Sequence, residues 1–167
     1  MNFIKRIISA LLCFTLLLCV PVAASATTTE GYNNTEEYIR FTPSSARIDE
    51  DGNFDFYIRS SKLSGKFYAT SNKMKISASA YIYNNKDGGV RKSDSVSFMI
   101  TLYKDNADGT NTSVGSFTTK ADKKTGSKEF TVTKNQKYYL EITIEGGSNL
   151  KNTEYVKGSG RVSNMSL

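Results

Sequence analysis

Alternation of apolar and polar residues, in one segment after another, is the feature that most constrains how this chain can fold. The longest such segment has Met74, Ile76, Ala78, Ala80 and Ile82 at every second position. Further segments of the same kind lie at 54–58, 96–103, 130–132 and 138–145. Side chains alternate between the two faces of a β-strand, so each segment predicts a strand with one buried face and one face in water.

Residues typical of tight turns separate these segments. They are Asp51-Gly52, Asp87-Gly88-Gly89, Asp108-Gly109, Lys134-Asn135-Gln136 and Gly146-Gly147. No segment after residue 26 repeats its apolar residues every 3.6 positions, so helices are not expected. We therefore predict an all-β fold, an antiparallel β-sandwich of jelly-roll or Ig-like type with roughly eight or nine strands. A closed β-barrel is the alternative, because alternation alone does not separate the two architectures.

The last alternating segment, 155–162, has an unusual composition. Gly158 and Gly160 fall in line with the apolar residues Val156 and Val162. Glycine inside a strand marks a position where another backbone or a large side chain approaches closely. We predict a closing strand that is crowded at these two glycines.

The first 26 residues have the three-part layout of a secretory signal. Lys5 and Arg6 precede an apolar run from Ile7 to Val20, and the small residues Ala24-Ser25-Ala26 follow. The run is about 14 residues long, whereas a membrane-spanning helix needs roughly 20. We predict cleavage after Ala26 and secretion, then a flexible polar leader at 27–36 and a single β-sandwich domain at 37–167.

Removal of the signal changes the cysteine and charge balance. Of the 167 residues 141 remain, and both cysteines, Cys13 and Cys19, are lost with the signal. Each follows a leucine, whereas a lipidated cysteine follows a small residue, so no lipid anchor is expected. The mature chain keeps 20 basic against 16 acidic residues, scattered rather than clustered. Export without disulfides is more typical of a bacterial protein than of small extracellular animal domains.

Several catalytic chemistries are excluded by the residue types present. The chain has no histidine, which removes Ser-His-Asp catalysis and the usual zinc sites. Paired carboxylates could still catalyse hydrolysis, but Glu141 and Glu145 fall on a strand face that we expect to meet water. We therefore expect neither a catalytic residue nor a cofactor, and predict that the protein is not an enzyme.

The segment Asp105-Asn106-Ala107-Asp108-Gly109-Thr110-Asn111 resembles part of a calcium loop. The EF-hand pattern needs an acid five residues before its glycine, and that position holds Lys104. We predict a hairpin turn here and no EF-hand metal site, while a calcium site of another kind between loops stays open.

Tyrosine gives the strongest indication of a binding surface. All ten tyrosines follow the signal, and there is no tryptophan. Alternation directs five of them away from the core: Tyr57, Tyr81, Tyr83, Tyr103 and Tyr139. Rings with a hydroxyl tip suit sugar stacking and protein contact, so these five are the candidate ligand-binding residues. Strand propensity, or a covering strand or subunit, would also explain them.

Together these features favour a secreted, non-catalytic binding protein that recognises a cell-wall or environmental polysaccharide or a surface protein. One alternative is a toxin, bacteriocin-like or immunity factor that acts at membranes, suggested by the mild basicity. Another is a structural surface subunit that pairs through a sheet edge. Nucleic acid is not an expected partner because no basic cluster is present, and no stable membrane anchor is expected. The oligomeric state is left open.

Overall fold

The computed structural model describes residues 46–145 and 147–167, and these contain eleven β-strands and one short 3₁₀ helix, Gly147–Asn149. The strands are β1 (Asn53–Ile58), β2 (Ser61–Leu63), β3 (Phe67–Ala69), β4 (Lys73–Asn84), β5 (Val90–Arg91), β6 (Ser97–Asp105), β7 (Asn111–Lys120), β8 (Gly126–Thr131), β9 (Lys137–Glu145), β10 (Glu154–Val162) and β11 (Met165–Ser166).

The strands form two antiparallel sheets. In the first sheet β10 lies between β1 and β4, and β4 also pairs with β5 and β8 along its other edge. The second sheet has the order β11-β3-β9-β6-β7, with β2 paired to β9. All these ladders are antiparallel, and none joins the two sheets within the described residues.

The predicted all-β sandwich is therefore confirmed, with two separate sheets rather than one closed sheet. The strand number is higher than the predicted eight or nine because four strands have only two or three residues. Segments this short show no measurable alternation.

The core fills the space between the inward faces of the two sheets. On β4, the residues predicted to be buried, Met74 to Ile82 at every second position, are at most 1% exposed. They face rings and branched chains of the second sheet, among them Phe98, Ile100 and Leu140, which are fully buried. Burial of such side chains contributes about 1.5–3 kcal/mol each.

The glycines of β10 are crowded, as predicted. A Cβ added at Gly158 would lie 2.4 Å from Cζ of Phe56, and one at Gly160 would lie 2.3 Å from Cζ of Phe54. Each phenylalanine of β1 thus lays its ring across the glycine paired with it on β10. This close packing fixes the position of β10 in the centre of the first sheet.

The turns also follow the sequence prediction. Gly52, Gly88 and Gly109 have positive φ angles of 82°, 70° and 81°. Asn135, between β8 and β9, has φ 63°, which asparagine adopts more readily than most residues. These residues lie in the turns that the sequence predicts, and their positive φ angles reverse the direction of the chain there.

The predicted signal peptide at 1–26 and leader at 27–36 lie outside the described residues, as do residues 37–45 of the predicted domain. In the part of the chain that the structure describes, no helix has the length and apolar character needed to cross a membrane.

Candidate functional site

Three of the five predicted tyrosines lie on the outer face of the first sheet. In the ladder, Lys157 of β10 pairs with Tyr57 of β1 on one side and with Tyr81 of β4 on the other. The next outward pair is Tyr155 with Tyr83. Lys157 is therefore at the centre of a group of four tyrosines that come from three adjacent strands.

Three of the four rings in this group contact one another. Tyr57 stacks on Tyr155 with ring centroids 4.4 Å apart and an interplanar angle of 14°. Tyr83 meets Tyr57 edge-on, with centroids 6.0 Å apart. Contacting aromatic rings restrain one another. Each such pair stabilises the fold by about 0.5–1.5 kcal/mol beyond the contribution of the apolar area that it buries. Tyr57, Tyr83 and Tyr155 therefore form one packed aromatic surface.

Two adjacent hollows lie on this surface. The larger, of about 400 Å³, is lined by Tyr57, Lys62, Tyr83 and Asn85. The smaller, of about 320 Å³, is lined by Ser79, Tyr81, Lys123 and Ser159. Asp55, Lys157 and Gly158 line both. We call the two hollows together the tyrosine groove.

Burial changes the acid–base properties of two groups in the tyrosine groove. Loss of solvent around Tyr57, with the neighbouring Tyr155 and Tyr83 phenols, raises the pKa of Tyr57 to about 12. Desolvation also lowers the pKa of Lys62, because a lysine with less water around it is less stable in its charged form. Both side chains line the larger hollow, where each is half-buried.

Lysine ammonium groups lie over two of the tyrosine rings. Nζ of Lys157 is 5.2 Å from the ring centre of Tyr83, and Nζ of Lys123 is 5.4 Å from that of Tyr81. Such cation–π contacts stabilise a lysine near an aromatic ring by about 0.5–1 kcal/mol at exposed sites. They also hold the positive charges at the edge of the tyrosine groove.

The other two predicted tyrosines lie on the opposite outer face. Tyr103 of β6 pairs with Tyr139 of β9, and their rings stack with centroids 5.3 Å apart. Desolvation, followed by a hydrogen bond with Glu141, raises the pKa of the Tyr103 phenol. The structure therefore does not bring the five predicted residues together, because they belong to two different sheets.

Alternation along the chain pointed to Tyr57, Tyr81 and Tyr83 but to no other residue that lines the tyrosine groove, so Lys62, Lys123 and Lys157 were not predicted. Tyr155, which stacks on Tyr57, was not predicted either. On β10, Val156 and Val162 are buried, so the alternation of the strand places Tyr155 on the outer face. The outward position of Tyr155 could therefore have been predicted from the sequence. Lys62 lies on the three-residue strand β2 and Lys123 in the link after β7, where periodicity gives no guidance.

The acidic loop at 105–111 is the predicted hairpin between β6 and β7. The carboxylate of Asp108 accepts hydrogen bonds from the backbone and the hydroxyl of Thr110, and the side-chain amide of Asn106 donates to Thr110 and Thr112. Within the described residues, no three His, Cys, Asp or Glu side chains are grouped so that they could hold a metal ion.

Comparison with known proteins gives likeness in structure only. No protein-family model matches the chain, and no curated protein matches it. A surface-associated copper-binding protein from Methylomicrobium album BG8 matches at 10% identity and a TM-score of 0.46, over 72% of this chain and 98% of its own.

Carbohydrate-binding modules are also among the similar structures. The xylan-binding domain of Paenibacillus barcinonensis Xyn10C matches at 11% identity and a TM-score of 0.31, over 73% of this chain and 69% of its own. TmCBM61, solved with β-1,4-galactotriose, matches at 10% identity and a TM-score of 0.28, over 68% of each chain. At these values the likenesses assign no function to this chain.

Proposed function

We propose that this protein is a secreted, non-catalytic binding protein that holds a polysaccharide in the tyrosine groove. The observation that carries the proposal is the clustering of Tyr57, Tyr81 and Tyr83 along two adjacent hollows, with Tyr155 stacked on Tyr57. These rings are half-buried on the outer face of a sheet, and clustered aromatic surface that is left partly open to solvent commonly marks an interaction site.

The residue types in the tyrosine groove match the chemistry of sugars. A sugar ring presents C–H groups on its faces and hydroxyls around its edge. Tyrosine rings supply apolar surface for the faces, while Asp55, Asn85 and the hydroxyl of Ser159 offer hydrogen bonds to the edge. A site with convergent polar groups around apolar surface is a typical small-ligand or polymer site.

The form of the depression favours a polymer over a small molecule. The two hollows share Asp55, Lys157 and Gly158 and so lie next to each other on the sheet. A chain of sugar units can lie along such an open surface and contact several rings at once. Each unit then contributes a modest amount, and several units together give useful affinity.

Loss of groove tyrosines is expected to weaken polysaccharide binding. The double variant Tyr81→Ala/Tyr83→Ala removes two rings that line different hollows. Two aromatic contacts at about 1 kcal/mol each make binding roughly ten- to hundredfold weaker. Retention of the purified protein on insoluble cellulose, xylan, chitin and bacterial cell walls, followed by titration with the polymer that binds, measures the effect.

The opposite face provides a matched control. Tyr103→Ala/Tyr139→Ala also removes two half-exposed rings from an outer sheet face, so its cost to stability is similar. Binding to the polymer should be unchanged in this variant. Equal loss of binding in both variants would contradict the assignment of the site. A wild-type protein that binds none of the polymers would contradict the proposed function itself.

Secretion is a separate part of the proposal and has its own test. The full chain, expressed in a Gram-positive host, is expected in the culture medium with Thr27 as its first residue. N-terminal sequencing of the protein recovered from the medium checks this. An intact Met1 on cell-associated protein would show that the segment 1–26 is not removed.

A further inference from the structure

We propose that the polymer held in the tyrosine groove is acidic, with carboxylate or phosphate groups that pair with Lys62, Lys123 and Lys157. This inference rests on the proposed function and names the chemical class of its ligand. Three lysines and one aspartate, Asp55, are the charged residues that line the two hollows. The tyrosine groove is therefore positive where its ligand would lie.

Among the residues that the structure describes, no carboxylate forms an ion pair with these three lysines. Lys66, Lys73 and Lys124 each form an ion pair with a carboxylate at 2.9–3.7 Å. Lys62, Lys123 and Lys157 form none with any described carboxylate. Their ammonium groups can therefore pair with an anion from outside without first breaking an internal ion pair.

Lys62 gives a reason for preferring an anion to a neutral sugar. It lies on β2, at the side of the larger hollow next to Tyr57, and desolvation there opposes its charge. A bound carboxylate or phosphate would compensate for the lost water, because an opposite charge within about 4–6 Å favours the charged form of a lysine. A neutral hydroxyl compensates less, since hydrogen bonds between charged partners are about twice as strong.

The backbone at Lys123 supports a role for its side chain. Three residues other than glycine have positive φ in the described chain: Lys123, Asn135 and Asn164. Asparagine tolerates this left-handed conformation better than lysine does. Two of the three positions carry asparagine, but the one beside the tyrosine groove carries a lysine whose Nζ lies over Tyr81. Lysine, which suits the left-handed backbone less well than asparagine, therefore occupies the position from which its charge reaches the tyrosine groove.

Asp55 does not cancel this preference. It is exposed on β1 and pairs across the ladder with Ser159, where it offers acceptors to sugar hydroxyls. A polymer with one acidic group every one or two sugar units can place its anions against the lysines and its hydroxyls against Asp55. A continuous polyanion without free hydroxyls would meet Asp55 less favourably.

Matched polymers separate charge from sugar identity. Polygalacturonate carries a carboxylate on every unit, and its fully methyl-esterified form has the same sugar backbone without the charge. Phosphomannan is a polysaccharide that carries phosphodiester groups instead of carboxylates. We expect the purified protein to bind polygalacturonate or the phosphate polymer at least tenfold more tightly than the esterified form. Binding to the acidic polymers should also weaken when the salt concentration is raised from 50 to 300 mM, because salt screens exposed charges.

The double variant Lys123→Asn/Lys157→Gln tests the site. Asparagine suits the left-handed backbone at residue 123, so this substitution should leave the fold at least as stable. The variant removes the positive charges of Lys123 and Lys157 from the tyrosine groove, which should weaken binding to the acidic polymer about ten- to hundredfold. Thermal unfolding confirms that the variant is folded.

The control variant Lys134→Gln/Lys137→Gln changes the net charge by the same amount at a distant place. The backbone nitrogen of Lys134 donates a hydrogen bond to Asn72, which directly precedes β4, whereas Tyr83 lies near the end of β4. The length of this strand places Lys134 on the order of 30 Å from Tyr83. Binding should be unchanged in this variant. An equal loss in both variants would show attraction by net charge alone and overturn the site.

The outcomes distinguish the two levels of the proposal. Equal binding of polygalacturonate and its esterified form, lost with Tyr81→Ala/Tyr83→Ala, would overturn the acidic ligand and leave polysaccharide binding in place. Absence of binding to every polymer, neutral or acidic, would overturn the proposed function. Binding to one acidic polymer but not the other identifies carboxylate or phosphate as the group recognised.

Discussion

Alanine in place of Gly158 is expected to lower the free energy of unfolding by about 3 kcal/mol. The added Cβ would lie 2.4 Å from Cζ of Phe56, 2.4 Å from the carbonyl oxygen of Ser79 and 2.8 Å from Cβ of Ala80. The oxygen of Ser79 and the Cβ of Ala80 are fixed to the backbone of β4 and cannot move without displacing that strand. Either β10 shifts away from β4 or the Phe56 ring leaves its place in the core.

Gly65 is the matched control for this substitution. A Cβ added there meets nothing within 4 Å, and its φ angle is not in the left-handed region. Alanine at Gly65 should leave stability unchanged or raise it by a few tenths of a kcal/mol, because it restricts the unfolded chain. Urea unfolding followed by far-ultraviolet circular dichroism measures both variants. A Gly158→Ala protein as stable as the Gly65→Ala protein would contradict the crowding of β10.

The crowding at Gly158 shows what sequence alone predicts well. The alternation of Val156, Gly158, Gly160 and Val162 places the glycines on the buried face, and a buried glycine within a strand implies a close neighbour. Both conclusions are local, since they need only the parity of a single strand. The neighbours themselves, Phe54 and Phe56, follow only from the pairing of β1 with β10.

Strand order explains why the candidate site was only partly predicted. Tyr57 and Tyr155 stack although almost one hundred residues separate them, because the last long strand, β10, inserts between β1 and β4. Alternation tells which face of a strand a tyrosine occupies but not which strand lies beside it. The same limit hides the separation of Tyr103 and Tyr139 from the other three.

A β-bulge explains why β7 could not be predicted from the alternation of residues. Leu102 pairs with Gly115 and Tyr103 pairs with Ser113, so Val114 is an extra residue in the ladder. An extra residue reverses the alternation from that point onward. The strand therefore has no continuous period of two, and its many serine and threonine residues resemble a loop.

Glutamine in place of Glu154 is expected to lower the free energy of unfolding at pH 7 by about 2 kcal/mol. Glu154 is 3% exposed, and its carboxylate accepts hydrogen bonds from Nε and Nη2 of Arg91 at 2.8 and 2.7 Å. It also accepts one from the backbone nitrogen of Lys151 at 2.9 Å. The Arg91 side chain is 42% exposed, so it can regain water when its partner is lost, which limits the cost.

The same contacts make this contribution depend on pH. The hydrogen bonds from Arg91, opposed by desolvation, lower the pKa of Glu154 from 4.5 to about 2. Because the folded-state pKa is below that of the unfolded chain, the stabilisation is complete above about pH 5. It decreases as the pH falls through 4.5 toward 2, where the folded protein must also take up the proton. Wild type and Glu154→Gln should therefore converge in stability over this range.

An exposed ion pair serves as the control for Glu154. Glu129 meets Lys73 at 2.9 Å, but both side chains are more than half exposed. Glu129→Gln should change the free energy of unfolding by no more than about 0.5 kcal/mol at any pH, because water replaces the lost contact. Urea unfolding at pH 7, 5, 3.5 and 2.5 measures the free energy of unfolding of wild type, Glu154→Gln and Glu129→Gln. Urea is used because it is uncharged and does not screen the ion pairs. A gap between wild type and Glu154→Gln that stays constant from pH 7 to 2.5 would show that Glu154 stabilises through packing, not through its charge.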